Sequence, residues 1–78
     1  MTLNELKPGK EAIVLAVNGE GALRRRLLDM GLTPKTRIFM RKVAPLGDPI
    51  EIKLRGYELT LRLEDATRID ILEIEETH

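Results

Sequence analysis

Apolar residues change their spacing repeatedly along this chain, and each change marks an element. Ala12 to Val17 is an unbroken run of small and branched apolar residues between Pro8-Gly9 and Asn18-Gly19, the pattern of an interior strand bounded by turns. From Ala22 to Met30 the period becomes helical, with Leu23, Leu27 and Met30 at i, i+4 and i+7 on one face. Gly31 suits the left-handed position just past a helix, and Leu32 can fold back on the last turn as in a Schellman stop. Leu28 lies about 100° round from Leu27, toward the side of Arg24. It belongs either to the exposed face or to the core.

Arg37 to Val43 alternates weakly, with Ile38 and Met40 against Phe39, Arg41 and Val43, and reads as a second strand. Residues 44–49 form a loop in which Pro45, Gly47 and Pro49 fix the backbone and withhold ladder hydrogen bonds. Ile50 to Leu63 reads as a hairpin with Gly56-Tyr57 as its two-residue turn of type II′. That register sets Leu54 against Leu59, Ile52 against Leu61 and Ile50 against Leu63 on one face, with Glu51 opposite Arg62 and Lys53 opposite Thr60 on the other. Residues 64–67 read as one helical turn before a last strand, Arg68 to Ile74, whose alternation breaks at Leu72 as at a bulge; residues 75–78 are expected to fray. Leu23, Leu27, Met30, Ile52, Leu54, Leu59 and Leu61 are assigned to the core. The expected fold is mainly β: a small, partly open barrel of about five strands with one short helix between the first and second.

Length and composition narrow the function. The chain of 78 residues fits one domain, 1–78, with 42% hydrophobic and 33% charged residues. Thirteen basic and 13 acidic side chains leave a formal net charge of +0, so no overall field draws the chain to nucleic acid or an anionic membrane. It contains no Ser or Cys, and His78 is its only histidine, so the common nucleophile and base pairs cannot be assembled. The adjacent carboxylates Glu64/Asp65 and Glu75/Glu76 read as solvated charge. Gly9-Lys10-Glu11 and Gly19-Glu20-Gly21 lack what a phosphate loop needs, and no calcium-loop spacing occurs. No catalytic residue, metal ligand or cofactor is expected. The first residues lack the charged and apolar regions of a signal peptide, and no apolar run approaches a membrane span, so the expected location is the cytoplasm.

Cations cluster at Arg24, Arg25, Arg26, Lys35, Arg37, Arg41 and Lys42. A solvated helix face accounts for the three consecutive arginines as well as protein docking does. An RNA-binding small barrel using Arg24, Arg25, Arg26 and Arg41 with Tyr57 is the alternative, although only Phe39 and Tyr57 offer aromatic stacking and no nucleic acid is expected. A third reading is self-association through a sheet edge or the Phe39 face.

Three segments together resemble the FeoA family of bacterial ferrous iron transport accessory proteins: Leu23 to Leu32, reading LRRRLLDMGL; Ala44 to Ile50, reading APLGDPI; and Arg55 to Arg62, reading RGYELTLR. The resemblance extends over nearly the whole chain, from the opening Leu-x-x-Leu-x-Pro-Gly to the Ile-x-Ile ending. It implies an SH3-like barrel in the bacterial cytoplasm, peripheral to the inner membrane through FeoB, the membrane ferrous iron transporter with its own GTPase domain. The protein would then be a non-catalytic docking module that binds and modulates that transporter. One departure is Lys35, where the turn after the helix often has Gly. For partner contacts we select Arg24, Arg25 and Leu28 on the helix and Pro45, Leu46 and Pro49 in the rigid loop; Leu28 as a core residue and the prolines as turn-formers are the competing readings.

Overall fold

In a computed structural model that describes residues 1–74, a 3-10 turn at Leu3–Glu5 leads into β1 (Glu11–Val17), α1 (Gly21–Asp29), β2 (Arg37–Val43), β3 (Ile50–Leu54), β4 (Tyr57–Leu61), α2 (Leu63–Ala66) and β5 (Ile69–Ile74). The five strands make one antiparallel sheet in the order β4-β3-β2-β1-β5. β1, expected inside the sheet, is flanked by β2 and β5. The expected fraying of residues 75–78 lies outside the described residues.

Two interruptions bend the sheet. The β1–β5 register shifts at Leu15, between Val14 and Ala16, and the β2–β3 register shifts at Arg41, between Met40 and Lys42. An extra residue on one strand raises local twist and curls a sheet, which here brings the inner faces around a shared core without closing the barrel. That core is formed by Leu3, Leu6, Ala12, Val14, Val17, Leu27, Leu32, Ile38, Met40, Ile50, Ile52, Leu54, Leu61, Ala66, Ile69 and Ile71. Of the residues assigned to it from the sequence, Leu27, Ile52, Leu54 and Leu61 are buried, while Leu23, Met30 and Leu59 pack partly buried against it.

The bulge near the last strand is not where the alternation placed it. The extra residue is Leu15 on β1. Leu72 pairs in register with Ile13 and continues the outward series after Asp70, while Ile69 and Ile71 point inward. What looked like a broken alternation is an apolar side chain on the solvent face.

The hairpin register is also corrected. The turn is Arg55-Gly56, with φ of 49° and 83°, and β3 pairs with β4 as Leu54 with Tyr57, Ile52 with Leu59 and Ile50 with Leu61. Positive φ at both central residues is the type I′ geometry, whose twist matches that of the flanking strands. The pairing therefore moves by two residues relative to the expected Gly56-Tyr57 turn. An even shift preserves which face each side chain takes, so the apolar face survives and only its partners change. Glu51 stands opposite Thr60 rather than Arg62, and Lys53 opposite Glu58 rather than Thr60. Leu63 leaves the hairpin and begins α2.

Lys35 keeps the backbone that glycine would take: its φ is 75°, and its N–H donates to the Val14 carbonyl at 2.7 Å. Left-handed backbone costs an L-residue about 1–2 kcal/mol, of which glycine's greater unfolded-state freedom would return part. We expect Lys35→Gly to raise unfolding stability by about 0.5–1 kcal/mol, read as a higher urea midpoint at unchanged slope.

Candidate docking surface

Helix α1 is placed by its two ends. At its start, Gly19 (φ 115°) and Gly21 (φ 59°) turn the chain out of β1, and Glu20 is an N-cap that makes no side-chain capping bond. At its end the Schellman stop is complete: the Gly31 N–H donates to the Leu28 carbonyl at 3.0 Å, and the Leu32 N–H to the Leu27 carbonyl at 3.2 Å. A side chain at Gly31 would put its Cβ 3.0 Å from the Tyr57 hydroxyl and 3.4 Å from Leu54. The bare glycine lets Tyr57 approach and donate to the Met30 carbonyl, one of the orphan acceptors at a helix C-terminus. Beside it, Arg55 Nη2 donates to the Thr33 and Thr36 hydroxyls at 2.9 and 3.0 Å.

These ends decide what the selected helix residues do. Arg24 is exposed, yet its Nε donates to the Val17 carbonyl at 3.0 Å and ties the helix to the end of β1. Arg26 pairs with Asp65 at 3.2 Å, a carboxylate with 9% of its side chain exposed, and so joins α1 to α2. Leu28 is half-buried against the core rather than fully on the outer face. Among the described residues Arg25 is exposed and has no partner. It lines a shallow groove with Gly21, Ala22, Arg26, Asp29 and Met30 along the outer side of the helix.

The loop residues lie elsewhere. The Ala44 N–H donates to the Pro49 carbonyl at 3.0 Å, the Gly47 N–H to the Ala44 carbonyl at 2.7 Å, and Asp48 Oδ1 accepts the Leu63 N–H at 2.9 Å, so the loop is fastened at its base, within itself and to α2. Pro45, Leu46 and Pro49 are exposed, and Leu46 holds its apolar side chain 96% accessible at the tip. Pro45 and Pro49 border a second groove with Val43, Ala44 and Thr60. This loop enters β3 at Ile50, whereas α1 ends against the hairpin turn after Leu54. At about 3.4 Å per residue, the length of β3 separates the two sets by roughly 15 Å. They are two surfaces at opposite ends of one hairpin.

Charge is consumed locally. Arg41 pairs with Glu58, Lys42 with Glu51 at 3.4 Å, and Arg37 with Glu11 at 2.6 Å. Of the four arginines of the RNA reading, Arg24, Arg26 and Arg41 are therefore engaged, and the Tyr57 hydroxyl is bound to the helix. Among the described residues, no group of three or more His, Cys, Asp or Glu side chains is placed to hold a metal. The Thr2 N–H and hydroxyl donate to Glu5 and hold its carboxyl below the usual range. The outer side of β1 and β5, which the regular hydrophobic pattern does not mark, holds Leu15 at 52% and Leu72 at 58% exposed, with Ile13 paired to Leu72. The irregular spacing at Leu72 was the available signal for it.

An open antiparallel sheet of five strands with a helix between β1 and β2 defines a class of small barrel, and comparison with known proteins gives the family. The FeoA domain family matches residues 1–72. A Porphyromonas gingivalis protein, an Fe(2+) transport protein A/Fe(2+) transporter FeoB fusion, is 38% identical over 71 residues; these are 91% of this chain and 8% of the fusion protein. The solution structure of a FeoA-like protein from Clostridium acetobutylicum, 37% identical, superimposes with a TM-score of 0.90 over 100% of this chain and 91% of that one. Stenotrophomonas maltophilia FeoA, crystallised with zinc and described as a procaryotic SH3 domain protein, is 28% identical with a TM-score of 0.81, covering 91% of this chain and 88% of its own. The chain belongs to the FeoA domain family, and its fold is the mainly β, partly open, SH3-like barrel of that family.

The engaged and free arginines should separate in a stability measurement. Arg24→Ala removes the bond to the Val17 carbonyl and is expected to cost about 1 kcal/mol, whereas Arg25→Ala should leave unfolding within about 0.5 kcal/mol of the parent. Equal losses for the two would contradict the placement of Arg24.

Proposed function

We propose that this protein is a non-catalytic accessory module of ferrous iron uptake that docks on the cytoplasmic face of a FeoB-type transporter and modulates it. The observation that carries this reading is the fusion relative: a domain 38% identical to this chain occurs in one polypeptide with a FeoB transporter. A domain joined to its partner meets it at high effective concentration, while a separate chain must supply the same contact by affinity. Both surfaces built above fit docking. The groove along α1 presents Arg25, which among the described residues has no carboxylate partner, and the 44–49 loop presents Leu46 on a backbone ordered before binding, which reduces the entropy lost on contact. Among the described residues no helix is long and apolar enough to cross a membrane, so the reading places the chain at the membrane through its partner.

The test is a titration of the purified chain against full-length, detergent-solubilised transporter from the same organism, with and without guanine nucleotide. Arg25→Glu and Leu46→Asp alter exposed side chains and spare the core, which makes them better probes than Leu28→Glu, a change to a half-buried residue. Saturable binding weakened about tenfold by either substitution is expected. Absence of binding in both nucleotide states removes direct docking. Binding unmoved by both substitutions leaves docking in place and removes these two surfaces from it.

A further inference from the structure

Residues 19–36 cross the barrel end as a unit whose attachments differ from those of the strands. Of the core side chains only Leu27 of α1 and Leu32 of the connection belong to it and are fully buried, and Leu23, Leu28 and Met30 are only partly covered. The segment leaves β1 through two left-handed glycines, Gly19 and Gly21, with Arg24 holding the Val17 carbonyl at that end. Its far end is gripped from outside by the β3–β4 turn, through Tyr57 on the Met30 carbonyl and Arg55 on the hydroxyls of Thr33 and of buried Thr36. At its side Arg26 holds Asp65. Beyond Pro34 the chain rejoins the sheet through the bonds of Lys35 and Thr36 to Val14.

We propose that α1 and the connection through Thr33 form a strap, pivoted at Gly19 and Gly21 and clasped by Arg55 and Tyr57, that opens while the sheet stays folded. A segment with few buried apolar contacts and polar fastenings is drawn from the low-stability end of a domain. Opening uncovers Leu23, Leu27, Leu28, Met30 and Leu32, an apolar face that the closed strap turns against the core. The inference does not rest on the docking reading, because clasp and pivot lie within this chain.

Amide hydrogen exchange on the full chain tests it, with Arg55→Asn as the informative variant. Asn-Gly favours the type I′ turn more than Arg-Gly does, so the substitution removes the clasp while supporting the hairpin. In the parent, the amides of Leu27 to Leu32 are expected to exchange faster than those of β1 and β3. In Arg55→Asn they should accelerate about tenfold while the β3 and β4 amides stay unchanged or slow down, and Tyr57→Phe should accelerate the same helix amides about fivefold. Exchange of α1 as slow as that of the sheet in the parent, equal acceleration everywhere, or no acceleration in α1 overturns the proposal.

Discussion

The β3–β4 hairpin turns at Arg55-Gly56, and this turn settles more of the structure than its two residues would imply. Because both take positive φ, Tyr57 becomes the first residue of β4, opposite Leu54, and its hydroxyl reaches the Met30 carbonyl just past the end of α1. The same geometry aims Arg55 at Thr33 and Thr36. One tight turn thus fixes the inward pairs Ile52–Leu59 and Ile50–Leu61, ends a helix remote in sequence, and satisfies donors and acceptors that an open barrel would leave to solvent. Gly31 is the complementary requirement, since a Cβ there would sit 3.0 Å from the tyrosine oxygen.

From that junction the placement of the proposed docking surfaces follows. Anchoring the end of α1 at the turn leaves its outer side exposed along Arg25, while Arg24 and Arg26 are drawn into holding the helix. The proline loop lies at the other end of the same hairpin. A partner engaging both sets of selected residues would have to span the length of β3, which suits a large protein and not a small ligand. In the fusion relative, the part similar to this chain is 8% of a polypeptide that includes a FeoB transporter.

Much of the fold was legible because its strands and helix have strong periods. Strand β2 falls on the segment read from alternation, and β1 and α1 begin one residue before theirs. Leu27 and the Gly31-Leu32 stop behave as the helical spacing requires. The hairpin turn was misplaced because arginine in left-handed backbone has no sequence signature, and Gly-Tyr satisfies the simplest rule for a two-residue loop. Leu15 could not be recognised as a bulge inside a continuous apolar run, so the irregularity was credited to Leu72 across the ladder. The site was less legible. Spacing places Arg24, Arg25 and Arg26 on a helix, but which of them is free depends on the Val17 carbonyl and on Asp65, contacts made between elements that no local pattern encodes.

The central claim is that the outer side of α1 meets a FeoB-type transporter, and resonance perturbation of the isotope-labelled chain by that transporter tests it most directly. The account predicts that the largest changes fall on Gly21, Ala22 and Arg25 and their neighbours in α1, with a second group at residues 44–49. Changes confined to the Ile13, Leu15 and Leu72 face of β1 and β5, or none at saturating transporter, would contradict it.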